Sequence, residues 1–239
     1  MLIIILTVAG LVVWVLLKLI AATPALLKDV KACRGHWAEA RLRHCEGGLA
    51  VTGIPVEPFN TFSNLAYFAA ALLVVRTFGT VPAMVLAASL TLLGLGSSLY
   101  HGTKTKWGAR LDHAGMYAVF GSLAIYCVMP PHPLAPYVMA GGAAAFAIGF
   151  AFVAPGDLNA RMGLLLGLVS IRGFLLGRTH LTLVSLGLFV VAFIVWYIDQ
   201  RSTVLNRFGH AIWHVCTAAA VAVMFAAVAT PAIGSRISV

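Results

Sequence analysis

The stretch from Leu181 to Ile198, LTLVSLGLFVVAFIVWYI, carries no charge and ends at Asp199. At 1.5 Å rise per residue, a helix over this run is about as long as a bilayer's hydrocarbon core is thick. The run is also long and continuous, whereas a barrel strand shows short segments of alternating hydrophobicity. It is therefore read as a membrane-spanning helix. Working outward, similar runs bounded by Pro, Gly or charge recur along the chain. They predict an N-terminal helix at about 2–22 and seven more at about 61–80, 82–101, 111–130, 136–154, 160–177, 181–199 and 209–230.

Composition points the same way. The 239 residues are 61% hydrophobic and 10% charged, with a mean hydropathy of +0.98. Soluble domains average about 45–50% apolar and about 25% charged residues. A soluble enzyme, a disordered tail and a nucleic-acid module are poor readings of such a chain, so no nucleic-acid partner is expected. The expected fold class is all-α, a polytopic transmembrane helix bundle. Its parts are an anchor helix over 1–22, a polar interfacial segment over 23–56 and a seven-helix domain over 57–232. No basic region precedes the first apolar run and Lys18, Lys28 and Lys31 follow it, which favours a retained anchor over a cleaved signal peptide.

The net charge of +9 reads as topology rather than as a polyanion site. One face holds residues 23–60 and the loops near 102–110, 155–160 and 200–208, and it collects most of the Lys and Arg residues. The opposite face has Arg76, Arg178, Arg236 and, near it, Arg172. The positive-inside rule places the basic face in the cytoplasm. The acidic residues and most of the histidines gather at that same face. The four cysteines (Cys33, Cys45, Cys127, Cys216) form neither a disulfide framework nor a CxxC metal motif.

Ionisable groups at the ends of spanning helices are costly and are functional candidates for that reason. His210 and His214 stand four apart at the start of the last helix, so both imidazoles share one face and can offer two nitrogens to zinc. Ser97 and His101 repeat the spacing at the end of another helix, with Ser98 turned away as a packing residue. Asp112 follows after a short turn; it is read as a general base for water, with capping of its helix as a compatible second role. Glu57, Asn60 and Asn64 share a stripe, and the two amides are expected to bond a neighbouring helix. Three histidines with an open position make a catalytic zinc site, in which the metal lowers the pKa of water to about 7 and polarises a carbonyl oxygen. Ser97 is placed to donate a hydrogen bond to the developing oxyanion. A carbonyl substrate reaching a membrane-buried site points to a lipid amide or ester.

These residues carry a resemblance. The pattern Ser97…His101, Asp112 and His210…His214 resembles the alkaline ceramidases, within the superfamily of seven-helix membrane hydrolases and adiponectin-type receptors. The segment Glu57-Pro-Phe-Asn60-Thr-Phe-Ser63-Asn64 and the preceding Cys45-Glu46 resemble the ceramidase branch in particular. The resemblance implies that His101, His210 and His214 bind zinc, that Ser97 lies beside it and that Asp112 activates water. Members of the family that hold calcium do so with an acidic cluster and the helix-head glutamate. Here only Glu46 and Glu57 keep acidic ligands, while Arg43 brings a cation. Calcium, which takes six to eight oxygen ligands, is poorly served by that set. An ion pair of Arg43 with Glu46 or Glu57 is the competing reading. The implied activity is zinc-dependent cleavage of the N-acyl bond of ceramide or a ceramide-like lipid within the membrane. A lipid esterase or phospholipase and a non-catalytic lipid receptor are the alternatives.

Overall fold

Helices make up nearly all of the described chain, a computed structural model that covers residues 55–129, 134–153, 158–201 and 208–229. The expected helix at 2–22 and most of the polar segment, with Arg43, Cys45 and Glu46, lie outside the described residues. The helices are α1 Pro58–Ser63, α2 Leu65–Phe78, α3 Val81–Thr103, α4 Lys106–Val128, α5 Ala135–Ile148, α6 Leu158–Leu175, α7 Thr179–Arg201 and α8 Gly209–Ala229. A π-helical turn over Gly149–Val153 extends α5. No strand occurs among the described residues. Counting α1 and α2 as one pass, the chain crosses the bundle where the apolar runs predict.

The protein is an all-α transmembrane bundle. Among the described residues five helices are long and apolar enough to span a bilayer, and Ala135–Ala151 forms a shorter apolar one. Large side chains such as Leu164, Leu175, Val190 and Ile194 are exposed on the outside, while Tyr67, Leu86, Leu90, Tyr117, Met224 and Phe225 fill the interior. Such an apolar exterior suits lipid as the surrounding solvent.

Local chemistry sets the turns. Gly79, at φ +60°, closes α2 in the left-handed conformation that glycine takes without strain. Thr80 then caps α3, accepting from the Ala83 amide at 3.4 Å, with Pro82 in the first turn. At the other end a two-residue link, Lys104-Thr105, reverses the chain, and Thr105 Oγ1 caps α4 by accepting from the Gly108 amide at 3.0 Å. This corrects the expected start of α4 at 111. The polar residues 106–110 are helical, so Asp112 lies in the second turn and Thr105, not Asp112, is the cap.

Gly96 of α3 and Gly115 of α4 let the two backbones touch. A Cβ on Gly96 would lie 2.5 Å from the Leu111 carbonyl, and one on Gly115 would meet the Leu93 backbone. Close approach of helices through small residues is a usual means of helix association in membranes. It brings the end of α3, with His101, against the start of α4, with Asp112.

Candidate metal centre

The last turn of α3 supplies His101 and the first turns of α8 supply His210 and His214. Their ligand atoms all lie within 4.8 Å of one another. Ring centroids are 4.7 Å apart for His101 and His210, 5.0 Å for His101 and His214, and 4.6 Å for His210 and His214. His101 Nε2 and His210 Nε2 stand 3.1 Å apart. Ligands at about 2.0–2.1 Å from a tetrahedral zinc are about 3.3 Å from each other. One pair stands at that spacing, and the three imidazoles are close enough together to hold such an ion.

A metal-bound imidazole donates its other ring N–H to a fixed acceptor. His101 Nδ1 lies 2.5 Å from Glu57 Oε2, and His214 Nδ1 lies 2.7 Å from Ser63 Oγ. Both acceptors come from the α1 region, whose entry is tied to the end of α3. The Val56 and Glu57 amides donate to the Gly102 and His101 carbonyls at 2.9 and 3.1 Å. Those carbonyls are among the four that a helix C-terminus leaves without an intrahelical partner. One local pairing thus closes α3 and delivers Glu57 to His101.

The remaining predicted residues join the same centre. Ser97 Oγ is 3.4 Å from His214 Nε2, and its hydroxyl is close to the Asp112 carboxyl. Ser97, Asp112, His113, His210 and His214 line one cavity of about 240 Å³. A narrower apolar pocket of about 50 Å³ shares Tyr67, Leu93, Met116 and Trp213 with it and continues between α4, α6, α7 and α8. Ser98 is buried, with its hydroxyl 3.4 Å from the Thr61 carbonyl, as its orientation predicts.

The stripe of Glu57, Asn60 and Asn64 is buried, and the Asn64 amide donates within its own segment. Asn60 Nδ2 donates to Glu57 Oε2 at 3.1 Å, and Asn64 Nδ2 donates to the Asn60 carbonyl at 2.8 Å. The chain breaks between α1 and α2 at Asn64, so the amide there serves carbonyls of its own segment rather than a neighbouring helix. Among the described residues Glu57 forms an ion pair with Lys104, with Nζ 2.7 Å from Oε2; Arg43, the cation expected there, lies outside them.

Several participants were not singled out by sequence reasoning. Ser63 belongs to the quoted segment from Glu57 to Asn64 but has no role assigned there. Lys104 counted only as a loop charge. Tyr67 bonds Thr217 at 2.8 Å and packs its ring 5.9 Å from that of His214. Asp199 brings Oδ1 to 2.5 Å from where a Cβ on Gly209 would stand. Its carboxylate therefore rests against the N-terminus of α8, where the helix dipole favours an anion. Glycine at 209, immediately before His210, was the available signal.

Converging imidazoles with a serine and a carboxylate, at one end of an apolar bundle, define a polytopic membrane protein built around a candidate metal site. The sequence model of the family described as Ceramidase matches residues 37–236, and the chain belongs to that family. No curated relative matches the chain.

Proposed function

We propose that the chain is a zinc-dependent intramembrane amidase that hydrolyses the N-acyl bond of ceramide or a ceramide-like lipid, giving a free fatty acid and an amine lipid. The observation that supports this most is the closeness of His101, His210 and His214, two of which, His210 and His214, line one cavity with Ser97 and Asp112. Family membership supplies the substrate class. The three histidines hold the ion through one ring nitrogen each. When bound, zinc lowers the pKa of water to about 7 and polarises a carbonyl oxygen.

The chain's own groups do the rest. Asp112 takes a proton from the attacking water and returns it to the nitrogen that leaves. Ser97 donates its O–H to the carbonyl oxygen as negative charge develops there. Glu57 and Ser63 hold His101 and His214 in the tautomer that carries hydrogen on Nδ1. The apolar pocket beyond Trp213 and Met116 receives the beginning of the acyl chain and keeps water from it. Neither Asp112 nor Ser97 requires a covalent intermediate.

The experiment is metal analysis of the purified protein together with lipid turnover. The wild-type chain is expected to contain zinc and to release free sphingoid base from a mixed lipid extract. His214→Ala is expected to lose both, and retained turnover in that variant would sink the assignment. Release of lysophospholipid in place of sphingoid base would move the reading to a phospholipase. Lipid binding by zinc-loaded protein with no hydrolysis across a broad panel would move it to a receptor.

A further inference from the structure

Lys104 departs from ordinary lysine behaviour in two ways. It is the one non-glycine residue with positive φ among the described residues, at +54°, and its side chain is buried. Left-handed backbone at a helix C-terminus favours glycine, and a lysine almost never buries its ammonium unless it is paired. The backbone N–H closes α3 on the Tyr100 carbonyl at 2.6 Å. Nζ rests 4.3 Å over the Tyr100 ring and reaches Glu57 Oε2 at 2.7 Å. The turn that strains the backbone thus aims the ammonium back toward the metal centre.

We infer that Lys104 is a positioning residue for His101, acting through Glu57; the inference rests on the reading of His101, His210 and His214 as metal ligands. Glu57 Oε2 meets three donors: His101 Nδ1 at 2.5 Å, Lys104 Nζ at 2.7 Å and Asn60 Nδ2 at 3.1 Å. Its other oxygen, Oε1, is buried with no hydrogen-bond partner among the described residues. The ammonium therefore decides which oxygen faces His101 and supplies the counter-charge that a buried carboxylate needs. It stands 3.5 Å from His101 Nδ1, farther than Glu57 Oε2 at 2.5 Å, so the carboxylate it holds is that nitrogen's nearer partner. The hydrogen on Nδ1 then points to Glu57, and Nε2 is left with its lone pair toward His210 Nε2, 3.1 Å away. A lysine that served only to terminate α3 would do none of this, and glycine would replace it with less strain.

That contrast supplies the test. Full-length wild type, Lys104→Gly, Lys104→Arg and the double variant Glu57→Gln/Lys104→Met are purified in detergent. The apparent zinc dissociation constant is measured by competition with a chromophoric chelator, and the visible spectrum is recorded after cobalt substitution. Loss of a partner behind a metal ligand typically weakens metal binding by about 10–100-fold. Lys104→Gly is expected to show a loss of that size and an altered cobalt spectrum, and Lys104→Arg to recover most of it. The double variant leaves no unpaired buried charge; it is expected to fold and to show a loss of the same size. Wild-type affinity and a wild-type cobalt spectrum in Lys104→Gly would overturn the inference. Should Lys104→Gly fail to fold, the same result in the double variant overturns it. Wild-type protein that binds no zinc would overturn the zinc reading itself, which separates the two failures.

Discussion

Asp112 and Ser97 line the same cavity as His210 and His214, where a substrate carbonyl would meet both. If Asp112 moves protons and does not ligate the ion, Asp112→Asn separates chemistry from metal binding. The amide keeps the shape and a hydrogen-bond acceptor for Ser97 but cannot take a proton from water. The expected outcome is a zinc content like that of wild type with turnover lower by about 10²–10⁴-fold, the usual contribution of a positioned acid–base group. Metal analysis and ceramide turnover on one preparation check it, and loss of zinc would instead make Asp112 a ligand. The sequence exposed the histidines because four-residue spacing on a helix is a local rule. Ser63 stayed unassigned because its partner, His214, is 151 positions away, and no local rule pairs them. Lys104 was read as a loop charge for a related reason. Nothing in the string Thr103-Lys-Thr-Lys shows that the link is two residues long or that the lysine takes a left-handed backbone that turns it inward.

The passes themselves were legible because each is an apolar run about as long as a bilayer is thick. Their ends were less so. Lys106 and Arg110 interrupt the apolar pattern of α4 while remaining helical, which moved the expected start to 111 and gave Asp112 a cap position that Thr105 holds. What hydropathy could not show is how closely α3 and α4 approach, since a glycine in an apolar run carries no signal of what faces it. The contacts make a ranking possible. At Gly115 an added methyl meets the Leu93 backbone, whereas at Gly142 it meets Cδ1 of Ile125, the far end of a flexible side chain. Gly115→Ala must push two helices apart and is expected to cost about 1–3 kcal/mol, the range for overpacking. Gly142→Ala needs only a rotamer change at Ile125 and is expected to cost less. Thermal unfolding of the two variants in detergent checks the order, and equal or reversed losses would contradict the close α3–α4 contact. Gly115→Ala should also lower turnover, because α3 and α4 carry His101 and Asp112 toward each other.

Across the whole molecule, charge and chemistry share one end. His101, Lys104, Asp112, Asp199, His210 and His214 all lie where α3 and α7 finish and α4 and α8 begin. Arg76 and Arg178 lie at the other end, in the last turn of α2 and at the start of α7. The sequence adds Lys28, Lys31, Arg34, Arg41 and Arg43 just before the segment that enters at the site-bearing end. Basic residues in short loops and within about 15–20 residues of the spans set orientation, and acidic ones contribute little. The site-bearing end is therefore expected in the cytoplasm. Trp107, 60% exposed at the start of α4, and Tyr137, 74% exposed at the start of α5, mark the two ends. In a background with the four native cysteines replaced, Trp107→Cys should react with a membrane-impermeant maleimide only after the membrane is permeabilised. Tyr137→Cys should react in intact cells or spheroplasts. The opposite pattern would put the site on the outer side, so that substrate would have to come from the outer leaflet. The excess of basic residues would then need an explanation other than topology.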